Sequence, residues 1–171
     1  MKKFLAVLLP IALSASAALG LENDDSSVSW KSIVGVITAP GVDNPVGTIH
    51  GGAGPWSVHS GRAYVDLSSG FASFEVDGLV LNGGGSTGTP GAITAVEGTL
   101  VCNSGGTAPT ILDTTPVSLN VHGDARFSGQ IANLPATCGN PVFLLRIVAP
   151  AGAAGRWIAT GTERFIDDDA R

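Results

Sequence analysis

The alternation that runs through residues 61–82, GRAYVDLSSGFASFEVDGLVLN, most restricts what this chain can fold into. Ala63, Val65 and Leu67 alternate with Arg62, Tyr64 and Asp66, and after Ser68-Ser69-Gly70 the residues Ala72, Phe74 and Val76 alternate with Ser73, Glu75 and Asp77. Successive side chains of a strand point to opposite faces, so each arm has one apolar and one largely polar face. Two such arms around a glycine-containing turn read as a hairpin, with Gly70 free to take a positive φ. A four-residue loop from Ser68 to Phe71 puts both apolar faces on one side. It pairs Leu67 with Ala72, Val65 with Phe74 and Ala63 with Val76. On the outer face it sets Arg62 opposite Asp77 and Tyr64 opposite Glu75; an opposite-charge cross-strand pair contributes roughly 0.2–1 kcal/mol.

The same period recurs along the chain. Trp30–Ile37, Trp56–His59, Leu79–Leu81, Ile93–Cys102 and Trp157–Thr160 read as strands, separated by stretches rich in Gly, Pro, Asn and Asp. Val117, Leu119 and Val121 share a parity with Ala125, Phe127 and Ile131 across His122-Gly123-Asp124, which suits a bent continuous strand as well as a hairpin. Val142–Val148 (VFLLRIV) is apolar on both faces except at Arg146 and should be the most buried strand. Residues 38–55, 82–91 and 103–115 read as loops. With no 3.6-residue periodicity, the chain is expected to be all-β: one antiparallel β-sandwich or closed β-barrel of about eight or nine strands.

Lys2 and Lys3, the apolar run Phe4–Leu13 and the small residues Ala15-Ser16-Ala17 form a secretory signal peptide pattern. The apolar run is too short to span a bilayer, and no later stretch is long and apolar enough for a transmembrane helix. The expected organisation is a signal peptide at 1–17, a flexible acidic tail at 18–27, a β domain at 28–162 and an acidic tail at 163–171. Localisation would be secreted or periplasmic. The formal net charge is −5 and becomes more negative once the two signal lysines are removed, which disfavours nucleic acid as a partner. The run Asp167–Asp169 lacks the spacing of a calcium loop.

Cys102 and Cys138 are the two cysteines, and export makes a disulfide between them the default. Candidate chemistry elsewhere is sparse. Gly84-Gly85-Ser86-Thr87-Gly88 matches the nucleophile-elbow pattern but lacks a following helix, and the loop has no lysine for a phosphate site. Asp66, Glu75 and Asp77 share the outer face of the hairpin, and a carboxylate pair could serve a small secreted hydrolase. A solvated face with an Arg62–Asp77 ion pair explains the same residues. His50 and His59 could converge across Gly51–Pro55, as a catalytic pair or as metal ligands; two loop histidines on the surface are the plainer reading. Asp124 and Arg126 suit a local ion pair. Arg146 must find an acceptor or solvent, and could anchor an anionic ligand. Trp56 and Tyr64 are candidates for a carbohydrate or protein contact surface, against a core role for the tryptophans.

Residues 61–141, through GRAYVDLSSGFASFEVDGLVLNGG, GTPG, VEGTLVC, DARFSG and LPATC, resemble a group of uncharacterised secreted bacterial proteins. The resemblance covers about half the chain. It implies an exported β-domain and carries no activity. The resulting expectation is an exported non-catalytic binding or structural module without a cofactor. Its alternatives are a small hydrolase using the outer-face carboxylates or His50/His59, and a metal-binding protein.

Overall fold

The computed structural model describes residues 27–38, 42–149 and 152–166, so the expected signal peptide at 1–17, most of the expected N-terminal tail and Asp167–Asp169 lie outside the described residues. The alternating segments form strands: β1 Ser27–Gly35, β2 Trp56–Ser57, β3 Ser60–Asp66, β4 Phe71–Asp77, β5 Val80–Leu81 and β6 Ala95–Cys102. They continue with β7 Thr110–Asp113, β8 Val117–Ser118, β9 Ala125–Gln130, β10 Val142–Val148 and β11 Ala154–Ile166. β11 thus runs past residue 162, where the sequence places the start of the acidic tail, because β1 pairs with it out to Val28↔Ile166.

Eight strands form one antiparallel path in the order β7-β6-β10-β11-β1-β3-β4-β9, with β8 added to β6 and β2–β5 as a separate pair. The protein is all-β, and its sheet curls into a half-barrel. The curl is visible in the aromatic core. Phe143 of β10 lies 5.6 Å from Trp30 of β1 and 5.7 Å from Phe74 of β4, measured between ring centroids, although none of these strands is a neighbour of another in the sheet. Such ring pairs add about 0.5–1.5 kcal/mol each beyond burial. Gly98 of β6 completes the approach, since a Cβ there would stand 3.0 Å from ring atoms of both Phe143 and Phe74.

The faces follow the alternation. Ala63, Val65, Ala72, Phe74 and Val76 are buried, while Arg62, Tyr64, Ser73, Glu75 and Asp77 are exposed or half-buried. The hairpin register differs by two residues from the expected one: Val65 faces Ala72, Ala63 faces Phe74, Arg62 faces Glu75 and Tyr64 faces Ser73. The cause is the turn. Asp66 accepts hydrogen bonds at Oδ1 from the Ser68 and Ser69 amides and the Ser68 hydroxyl, and at Oδ2 from the Ser69 hydroxyl. These bonds, that of Ser68 first, hold the Asp66 carboxyl well below the usual range. They draw Leu67 into the turn, and Gly70 follows at φ 77°. A two-residue shift keeps every side chain on its face, so the alternation is satisfied by either register.

One segment that reads as loop is a strand, and the two strands within Pro116–Ile131 prove separate. Thr110–Asp113 is strand β7 rather than loop, paired with Thr99–Cys102. β8 and β9 are separate strands pairing with β6 and β4, because Gly123 turns the chain at φ 85°. β6 is buried on both faces. Part of its outer cover is the segment 42–55: Gly47 lies against Pro109 and Val101, and Trp157 Nε1 donates to the Asn44 carbonyl at 2.8 Å.

Candidate functional site

The outer face of β1, β3, β4 and β9 forms an open groove of about 760 Å³. Its exposed walls come from residues of outward parity, which the register lines up in rows across the strands. Ser29, Tyr64, Ser73 and Ser128 are successive cross-strand partners, as are Arg62, Glu75 and Arg126 in the next row, with Lys31 on the β1 side. Tyr64 is half-buried, its ring 6.4 Å from that of Phe71. Arg62 Nη2 lies 3.0 Å from Glu75 Oε1, and Arg126 Nη2 lies 3.5 Å from Asp77 Oδ1. Arg126 thus pairs with Asp77 across strands and not with Asp124, as its i, i+2 spacing suggests. Asp124 instead accepts from Asn120 Nδ2 and the Gly78 amide, and these bonds lower its pKa.

A second cavity of about 320 Å³ lies between Thr48–His50, Ile111 of β7, Arg146 of β10 and Ala154–Arg156 of β11. His50 Nδ1 is paired with the Asp43 carboxylate, which this contact holds below its usual pKa. Arg146 has both acceptors and burial: Nε donates to the Gly155 carbonyl at 2.8 Å, and Nη1 lies 3.2 Å from Asp113 Oδ1. Thr99 Oγ1 donates to the same oxygen at 2.6 Å. Glu97 stands opposite Arg146 in the β6–β10 register, is 3% exposed, and has a buried Oε1 with no hydrogen-bond partner.

Burial, then the charge of Asp113, push the Glu97 carboxyl up to about 7 against the pull of Arg146. Because the folded pKa is raised, protonated Glu97 contributes stability that is full below its ordinary value of 4.5 and is lost as pH rises through about 7. Glu97→Gln should flatten that fall, which is on the order of 3 kcal/mol across the window. Urea midpoints of both proteins on either side of the window check it; parallel pH profiles would refute the assignment.

Of the residues singled out in the sequence, His50 and Arg146 meet in the second cavity and Tyr64 lies in the groove. Trp56 is 5% exposed and belongs to the core, so it offers no contact surface. His59 is exposed beside Gly78 and lines neither of these cavities, whereas His50 lines the second. No group of three or more His, Cys, Asp or Glu placed to hold a metal ion occurs among the described residues. The outer-face carboxylates are each engaged: Asp66 in its turn, Glu75 with Arg62, and Asp77 with Arg126 and Ser60. Ser86 is exposed in a 3-10 turn held by the Thr87 hydroxyl on the Gly84 carbonyl, with no helix after it. Of the groove residues, sequence reasoning singled out only Tyr64 as a ligand contact; the outward parity of Lys31, Arg62 and Arg126 was the available signal for the rest.

Fold and groove together define an all-β half-barrel with one charged, open face. No family model matches the chain, and neither a curated protein nor a solved structure is detectably similar to it.

Proposed function

We propose that this protein is an exported, non-catalytic binding module and that its ligand lies in the groove over β1, β3, β4 and β9. One observation carries the reading. The described residues hold six cationic and eight acidic side chains, yet the groove is lined by three cations, Lys31, Arg62 and Arg126, and one acid, Glu75. A chain of net negative charge has gathered half of these cations around a half-buried tyrosine on one open face. Export is supported by the N-terminal pattern and by the Cys102–Cys138 disulfide, which suits an oxidising compartment.

The test is a thermal-shift screen of the wild type beside an Arg62→Gln/Arg126→Gln variant and a Tyr64→Ala variant. A ligand at about 100 times its Kd stabilises the native state by about 2.7 kcal/mol. Hits are expected to raise the Tm of the wild type and to lose that effect in both variants. Hits that stabilise all three proteins equally would place binding elsewhere. Amino-terminal sequencing of protein recovered from the periplasm or medium should begin at residue 18.

A further inference from the structure

Resting on the binding reading above, we infer that the occupant of the groove is an acidic saccharide: a sugar chain carrying carboxylate or sulfate groups. The inference comes from how two rows of side chains are set side by side. Strands lie about 4.8 Å apart, so a ligand crossing them meets a new side chain at about that interval. One row offers it hydroxyls and a phenol, from Ser29, Tyr64, Ser73 and Ser128. The row beside it offers two guanidiniums, Arg62 and Arg126, on either side of Glu75. A sugar chain presents hydroxyls along its length and, when acidic, an anion with two oxygens that a guanidinium can bind through two parallel hydrogen bonds. The Tyr64 ring supplies an amphipathic surface, with an apolar body for the C–H face of a sugar and a hydroxyl at its tip.

The ion pairs already present do not block this use. The Arg62 and Arg126 side chains are 72% and 70% exposed, and exposed pairs of this kind contribute little. Either guanidinium can therefore turn to a ligand anion at small cost. An acidic peptide fits less well. Peptides bound to sheets take their affinity from main-chain hydrogen bonds at an edge, or from apolar pockets for anchor side chains. This groove lies on a face, where β3 is paired on both sides by β1 and β4, and β4 by β3 and β9. Its outward side chains offer charge and hydroxyl groups, with the half-buried Tyr64 and Phe127 rings as its apolar part.

Calorimetric titration of the processed protein tests the inference, with oligogalacturonate, heparin oligosaccharide, a neutral gluco-oligosaccharide and poly-glutamate as probes. Binding of oligogalacturonate or heparin is expected, weakening with salt, and the stronger of the two identifies carboxylate or sulfate as the anion. Arg62→Gln/Arg126→Gln should lower that affinity about tenfold or more, because charge-assisted hydrogen bonds are lost. Tyr64→Ala should lower it too, and Tyr64→Phe should restore most of it through the ring. Unchanged melting of the unliganded arginine variant, expected for exposed positions, keeps that comparison one of binding, and Tyr64→Phe does the same at the half-buried Tyr64. Poly-glutamate binding as tightly as the sugars, with the same arginine dependence, would overturn the saccharide class and leave the groove as the binding site. Neutral sugar binding that depends on Tyr64 and ignores the arginines would overturn the acidic class alone. If binding of no probe depends on Arg62, Arg126 or Tyr64, both this inference and the groove reading fail.

Discussion

Replacing Cys102 and Cys138 together by alanine is expected to cost the fold about 3–4 kcal/mol, because the bridge closes a 36-residue span of the denatured chain. The Cys102–Cys138 disulfide joins the end of β6 to the loop before β10. Cys102 is fully buried, as its parity with Val96 and Leu100 requires, and Cys138 packs partly buried against the same core. The junction has other ties: the Asn103 amide donates to the Gly139 carbonyl and the Ser104 hydroxyl to the Asn140 carbonyl. The native geometry should therefore persist in the variant, with the loss falling mainly on the denatured state. Urea unfolding of the variant beside the oxidised wild type checks the magnitude. A non-reduced peptide map of the wild type should give one linked peptide. A loss below about 1 kcal/mol would mean that the denatured chain already holds these segments together.

Arg146→Ala should be of comparable severity, about 3 kcal/mol, because it strands charge beneath the segment 42–55. The Arg146 side chain is 11% exposed and the Asp113 side chain 35%, so partial access of Asp113 to solvent puts the cost at the low end for a broken buried pair. Two carboxyls then face one another without a cation. Glu97 already suffers from burial and from Asp113, and loses the Arg146 charge that favours its ionised form. The loss should therefore grow as pH rises through about 7 and shrink in acid. Arg146→Met, which restores the apolar stem, should recover little. Adding Glu97→Gln and Asp113→Asn should recover more, since neutral groups can stay buried at lower cost. Denaturation on both sides of neutrality separates the outcomes: a small loss without pH dependence would show that Thr99 and solvent satisfy Asp113 unaided.

These two sites differed in how readily the sequence disclosed them. The disulfide needed two cysteines and an export signal. The Glu97–Asp113–Arg146 cluster needed three strands. Arg146 stood out as a charge in an apolar run, but Asp113 sat in a stretch that reads as loop, and Glu97 looked like one exposed carboxylate among several. Thr110–Asp113 is too short and too mixed to declare itself; pairing with Thr99–Cys102 makes it a strand. Glu97 is buried because β6 is covered on both faces, which no local pattern records. Trp56 was ambiguous for the same reason: an aromatic at a loop edge is core or contact surface according to what the rest of the chain lays over it.

The groove shows the same division. Its members on β3 and β4 could be named in advance as outward residues of the hairpin, but its charge could not. A period of two sets which face a side chain occupies, and the burial of Val65, Phe74 and Val76 obeys it. That period is unchanged by a two-residue slip, so it cannot choose between Asp77 and Glu75 as the partner of Arg62; the Asp66 turn chooses. Nor can it place Ser29 and Lys31 of β1 or Arg126 of β9 beside the hairpin, since those neighbours come from distant parts of the chain. The faces of the hairpin, the all-β character and the cysteine bridge were thus determined by the sequence itself, through local geometry and the scarcity of alternatives. Register, strand order and the meeting of Lys31, Arg62, Tyr64 and Arg126 in one groove were decided by tertiary structure. They depend on which non-local strands pair, and the free energy of that choice is shared across the whole sheet.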